Sequence, residues 1–468
     1  MMKRILAMGA ALLLCFSAGA LALEHGTLSP ERVTITGGTC RVAIHCDEVR
    51  VVEGQAYAVI VFDSPNYTRA VLDDQTYAAE HEDGCSVFTL PVPLNEAVTF
   101  GATTTAMSAA HEIAYTLFIG TGEGDPLAGL ERESSMELVY AEGFSVDFYS
   151  GGYALIDVKD DARYLVVPQG KDAPEGLDPA IVVLSQPLDS IYLAASSAMA
   201  LFDAIDAVDR IRLSGTRADD WTIESAQQAM ADGTMLFAGK YSEPDYELLL
   251  REGCDLAIES TMILHTPKVG ELLRMLGIPV FIDRSSYEPH PLGRTEWVKL
   301  YGVLTGRIEE AQAFFDGQAQ MLKTLFGFPN TEKTVAFFYL HSNGAAVVRG
   351  EEDYIARMID LAGGRYAFTG LAKGSASVQM TMEEFYRAAV DADVLIYNAT
   401  IEAPISSVDE LIQKDGLFAA FRAVREGSVY CTDSALYQAT DRIGSMIAEL
   451  HALLTGEANE LAFLTHLN

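Results

Sequence analysis

The stretch of this sequence richest in reactive side chains is Ser285–Trp297, SSYEPHPLGRTEW, which sets Tyr287, Glu288, His290, Arg294 and Glu296 around Pro289 and Pro291. Ser285, Glu288 and His290 are the residue types of a nucleophile, an acid and a base. All three fall within six consecutive positions, and the prolines forbid the helix that would turn such near neighbours onto one face. A catalytic triad is therefore not expected. Nor does the chain contain a GxSxG elbow, a GxxxxGK[ST] loop or an HExxH helix. The GTGEG run at Gly120 lies in a Gly/Pro/acid-rich segment rather than between a strand and a helix, so it does not read as a phosphate loop. The expectation is a protein without turnover, with no catalytic residues, no cofactor and no resident metal.

The same residue types suit binding. Proline fixes φ in advance, so a connector such as Ser285–Trp297 meets a ligand with its ordering cost already spent. Ligands of α/β sheets bind at the loops that follow strands. In the first half of the α/β region those loops supply Tyr241, Ser260, Thr261, His265, Tyr287, His290 and Arg294. In the second half they supply His341, Asn343, Arg349, Tyr437, Gln438 and Arg442. Glu259 stands beside an apolar run, where a carboxyl needs a partner or a raised pKa. Trp221 and Trp297 read as core.

Which elements must position these groups? The N-terminus has a basic start (Lys3, Arg4), an apolar run and Ala20-Leu21-Ala22, the pattern of a secretory signal over 1–22 cut near Ala22. LLLC at Leu12–Cys15 raises a lipid anchor on Cys15 as the alternative. Cleavage near Ala22 leaves Cys40, Cys46, Cys85, Cys254 and Cys431, with Cys40 able to bridge to Cys46 or Cys85. The net charge of −34 argues against nucleic acid as a partner.

From Arg32 to Ile119, short alternating runs (RVTITGG, YAVIVFDS, SVFTLPV, IAYTLFI) separated by turn residues specify an antiparallel β-sandwich over 30–120. A linker at 121–132 follows. Over 133–468, helical and buried-strand patterns alternate as in parallel βαβ units. Helical periodicity without proline from Thr295 to Gly327 predicts one long helix between two α/β lobes, about 133–294 and 328–468. The lobes echo each other: PDYELLLREGCDLAIES in the first and MTMEEFYRAAVDADVLIYN in the second place Glu247 and Glu383 at the same point.

Arg163–Gly456 resembles the periplasmic-type substrate-binding proteins of ABC importers for iron-siderophores, haem and cobalamin. The strings that carry it are KYSEPDYELLLREGCDLAIESTMILHTPKVGELLRMLGIPVFIDRSSYEPHPLGRTEW, HSNGAAVVRGEEDYIARMIDLAGG and LYQATDRIG. The resemblance implies two Rossmann-like lobes bridged by one helix and closing only slightly on a metal chelate or tetrapyrrole. It also implies an extracytoplasmic protein whose partner is an ABC importer permease, docked through Glu247 and Glu383. Membrane association would come through that permease or a lipid anchor.

The N-terminal part, with FDSPNYTRAVLDDQTY and TTTAMSAAHEIAYTLFI, is similar to iron-transport-associated, haem-binding-type sandwiches. It lacks their Ser…Tyr-x-x-x-Tyr arrangement; Met107, His111 and Tyr115 are the suitable ligand types that remain. The alternative function that follows is a surface protein whose sandwich sequesters haem or metal.

Overall fold

The computed structural model describes residues 25–28, 30, 32–37, 42–105, 111–121, 127, 129–323, 330–371, 377–458 and 461–468. The expected signal segment, with Cys15 and Ala22, lies outside them, as do Cys40 and Met107. Two units are resolved by contact, Met1–Leu130 with Ala173–Ile181, and Glu131–Asp172 with Val182–Asn468. The first unit thus borrows a segment that the sequence reading left in the α/β region. Arg32 pairs with Asp178 at 3.1 Å, and the Ala97 amide donates to the Gly176 carbonyl at 2.8 Å.

The first unit is two five-stranded sheets. Every registered pair in them is antiparallel, as in Gln55–Phe62 with Cys85–Val92 and His111–Gly120 with Ala97–Thr104. Strand Gln55–Phe62 buries every second residue, and Ala58, Ile60, Phe62, Phe88, Leu90, Phe100 and Leu117 form the shared core. Period-two burial is what the alternating sequence dictates.

The second unit opens with a five-stranded sheet containing Arg132–Ser135, Phe144–Tyr149, Tyr153–Val158, Arg163–Val167 and Ile181–Ser185. A parallel sheet follows, made of β1 (Ile191–Leu193), β2 (Ile211–Ser214), β3 (Leu236–Phe237), β4 (Leu256–Ser260) and β5 (Val280–Asp283), in the order β3-β2-β1-β4-β5. The second α/β sheet holds β6 (Thr334–Leu340), β7 (Ala346–Arg349), β8 (Ser377–Met380), β9 (Val394–Tyr397), β10 (Val429–Thr432) and β11 (Leu464–His466), with Arg365–Tyr366 beside β6. Its centre, β6-β9-β10, is parallel, and its flanking pairs are antiparallel. Strands β5 and β9 are buried at every residue, which is why their sequences are unbroken apolar runs ending in one polar group.

The connection between these sheets corrects one expectation. Instead of a single helix over 295–327, the chain forms three shorter helices: Pro291–Glu296, Val298–Thr305 and Ile308–Lys323. The last break is at Gly306, whose φ of 74° is left-handed and ends the middle piece as a C-cap. The two longer pieces then pack closely, because a side chain on Gly302 would meet the Ala311 methyl at 2.7 Å. Helical periodicity survives such a corner, since glycine is neutral in the apolar pattern. Among the described residues no helix is long and apolar enough to cross a membrane.

Candidate functional site

A cavity of about 880 Å³ lies in the second unit where loops after β2 and β3 meet the turn after β10. That is the carboxyl end of the parallel strands, where α/β sheets bind ligands. Its walls include Thr216, Arg217, Phe237 and Lys240 from the first α/β sheet and Ser434, Tyr437 and Gln438 from the second.

Each wall has a local cause. The chain leaves β2 through Gly215, where a Cβ would sit 2.8 Å from the Ala194 Cα. The Ser214 hydroxyl then ties the turn, donating to the Thr216 carbonyl at 2.7 Å and accepting from the Trp221 Nε1 at 3.3 Å. Gly239 has φ 79° and lies so near the Glu243 carbonyl that a Cβ there would be 2.2 Å from it. Its own carbonyl accepts from the Tyr192 hydroxyl at 2.9 Å.

Charge in the cavity is divided. The Arg217 guanidinium lies over the Phe237 ring, 4.5 Å from its centre, a cation–π seat that leaves its planar fork available for an acidic group. Lys240 is engaged by Glu243 at 3.6 Å. Asp219 and Asp220 complete the charged lining. Such a site suits a ligand with an anionic or acceptor-rich edge and an apolar or aromatic body.

Of the residues expected from the sequence, Tyr437 and Gln438 line this cavity, and Arg442 borders a second one beside it. Tyr241 sits in the turn between the lining residues Lys240 and Glu243 without lining the cavity. Ser260 accepts from the Met262 amide at 3.3 Å and so caps the turn carrying Thr261 and the exposed His265. His341 and Asn343 are exposed in the turn between β6 and β7, and the Arg349 guanidinium donates to the Ser377 hydroxyl at 3.3 Å.

The connector Ser285–Trp297 departs from the role expected of it. Tyr287 is exposed, but His290 and Arg294 are turned into packing instead of into the cavity. His290 Nδ1 accepts from the Leu292 amide at 3.1 Å, and its ring stacks on Tyr140 with centres 4.3 Å apart. Burial pushes its pKa down to about 4, with Arg357 adding to the effect. Arg294 is buried with its guanidinium 4.0 Å above the Tyr354 ring. The proline-locked helix start aims these two groups at neighbouring elements, a direction that composition does not reveal.

The acids of the same stretch are fasteners. Glu296, fully buried, accepts from the amides of Val139, Tyr140 and Ala141 and from Lys299 Nζ at 2.8 Å. It closes the first of the three connecting helices; it does not open a long one. Glu259, by contrast, is fully buried with neither carboxylate oxygen hydrogen-bonded, and burial pushes its pKa up to about 8. Trp221 and Trp297 are core residues.

The echoing acids occupy matching places. Glu247 is the second residue of helix α1 (Tyr246–Arg251), whose N-cap Asp245 accepts from the Leu248 amide at 3.0 Å. Glu383 is the second residue of α2 (Met382–Ala389), capped by Thr381 in a reciprocal capping box with Glu384. Both glutamates are exposed, and each helix leads into a central parallel strand, β4 or β9.

In the first unit, the Tyr115 hydroxyl is buried 3.0 Å from that of Tyr67. The side chain of His111 lies outside the described residues. Cys85, Cys254 and Cys431 are free thiols.

Comparison with known proteins matches residues 212–436 to the family described as Periplasmic binding protein. This segment spans β2 through the turn after β10 and so contains most of the cavity wall. An uncharacterized lipoprotein of Methanocaldococcus jannaschii is 24% identical over 356 residues, covering 70% of this chain and 82% of the relative. A periplasmic haem-binding protein of Pseudomonas aeruginosa is 18% identical, covers 60% of this chain and 98% of its own, and has a TM-score of 0.47. The periplasmic haem-binding protein HutB of Vibrio cholerae is 20% identical, covering 55% and 98%, with a TM-score of 0.45.

Arg217, Phe237 and Thr222 are cavity residues that the sequence reading did not single out. The signal for Arg217 was present: Gly215-Thr216-Arg217 directly follows the strand IRLS, the position where α/β sheets display binding groups.

Proposed function

We propose that this protein is an extracytoplasmic solute-binding protein that captures an iron-siderophore, haem or corrinoid and delivers it to an ABC importer permease. The observation that carries the reading is the cavity between the loops of the two α/β sheets, with Arg217 seated on Phe237. Its volume of about 880 Å³ lies within the range of pockets that enclose one small organic ligand. The guanidinium supplies a bidentate donor for a propionate, catecholate or phosphate edge, and Phe237 and Tyr437 supply flat apolar surface. Binding occurs without turnover.

Glu247 and Glu383 are the permease-docking groups in this reading. An exposed acid at the second position of a capped helix on each sheet gives two separated negative points, which fix orientation and speed encounter with a basic surface. The experiment is a thermal-shift screen of the purified protein against ferric siderophores, haemin and cyanocobalamin. A ligand that binds the native state raises Tm by an amount that grows with the logarithm of its excess over Kd. A rise with one class, lost in Arg217→Ala, is expected; no rise with any of them would overturn the assignment.

A further inference from the structure

Gln438 stands on two cavities at once. Beside the large cavity lies a second of about 390 Å³, and Thr222, Ala435 and Gln438 line both. The Gln438 side chain is 3% exposed and has all four of its hydrogen-bonding places filled. Its Oε1 accepts from the Thr222 amide and the Thr222 hydroxyl, both at 2.9 Å. Its Nε2 donates to the Asp220 carbonyl at 2.7 Å and to the Tyr437 hydroxyl at 3.0 Å. One carboxamide thus pins the loop after β2 to the turn after β10 and forms the wall between the chambers.

The chambers differ in character. The large one sets Arg217 and Lys240 against Asp219, Asp220 and Glu243, a mixed lining. The small one is bordered by Asp203, Glu224, Asp433 and Asp441, with Arg442 as its cation. A ligand confined to the first chamber meets the guanidinium; a longer one would have to push an arm through Gln438 into acidic surroundings.

We propose that Gln438 is a specificity-determining residue, a partition that sets the length of ligand this protein accepts. The proposal rests on reading the large cavity as the ligand site. Bulk alone is not the device: because every polar atom of the carboxamide is satisfied, moving it aside strands buried donors and acceptors, and the wall resists a ligand that presses on it.

The test uses the full chain with Gln438→Ala, and with Gln438→Asn as a milder shortening should the first fold poorly. Crystal structures of the variants are expected to show one continuous trough joining the two chambers. In titrations with haemin and with the bulkier cyanocobalamin, the affinity ratio should move toward cyanocobalamin by about tenfold or more relative to wild type. Gln438→Met, which keeps bulk but not the bonds, should leave the chambers separate in the crystal yet shift the ratio part of the way toward cyanocobalamin; a wild-type ratio in this variant would overturn the role of the bonds. Joined chambers with an unchanged ratio would overturn the proposal, as would variants in which Tyr437 or Leu436 collapses into the gap. If wild type binds neither probe, the same ratio is read with two ferric siderophores of different length; binding of none of these classes fails the ligand reading, while the crystal structures still decide the partition.

Discussion

The Glu288 carboxylate accepts a hydrogen bond from Trp297 Nε1 at 2.7 Å inside the protein. The same carboxylate accepts from the amides of Glu142 at 2.8 Å and Gly143 at 2.9 Å, so one acid ties the turn before strand Phe144–Tyr149 to the helices that join the α/β sheets. Glu288→Ala leaves the buried Trp297 Nε1 and two part-buried amides without their acceptor, and a loss of about 2 kcal/mol is expected. Denaturant melts read it directly. Gly143→Ala should destabilise through the same contact, since its Cβ would lie 2.7 Å from Glu288 Oε1. Unchanged midpoints in both variants would show that the tie is dispensable.

Glu259 gives a pH dependence of one sign. Burial pushes its pKa to about 8, against an ordinary value of 4.5. The folded protein therefore keeps a proton that the unfolded chain sheds between those values. Its contribution is full below about pH 4.5 and is lost as pH rises through 8, at no more than about 1.4 kcal/mol per pH unit. Glu259→Met removes the unpartnered oxygens, so its advantage over wild type should widen from pH 5 to pH 8. Melting curves at three pH values measure the difference; parallel profiles would contradict it.

His290 acts in the opposite direction. Its pKa falls to about 4 through burial, with the Arg357 charge assisting and Glu296 opposing. The unfolded chain takes up a proton near pH 6.5 that the folded chain refuses until about 4, so stability is full above 6.5 and drains between the two. Geometry agrees, because Nδ1 must stay unprotonated to accept from Leu292. His290→Asn preserves a capping acceptor and should flatten the acid limb of a stability–pH profile. An acid limb as steep as in wild type would assign the loss to other groups.

Charge reversal at Glu247 and Glu383 separates docking from capture. Both acids are exposed and away from the cavity lining. The double variant to Lys should lose uptake in a transport assay while keeping its ligand affinity within about twofold. Weaker ligand binding by the same variant would refute the docking role.

Elements with a strong period were legible from residue order alone. The alternation in YAVIVF and the unbroken VLIY run became, respectively, a half-buried sandwich strand and a fully buried parallel one. The corner at Gly306 was not legible, because an apolar pattern continues through a glycine whether or not the backbone turns left-handed there. The cavity was legible only in part. Tyr437 and Gln438 follow a buried strand and announce themselves, whereas Arg217 gains its meaning from Phe237, twenty residues on, which only the β2–β3 pairing brings beneath it. His290 and Arg294 have the chemistry of ligand contacts, yet stacking on Tyr140 and Tyr354 claims them.

One apolar core joins the two α/β sheets of the second unit, from Leu256, Ile258 and Phe281 of one, through Leu292, Trp297 and Leu300, to Phe337 and Ile396 of the other. The halves cannot drift apart without wetting that common interior. On the function proposed above, a solute held between such halves would leave only when work is done on the protein from outside.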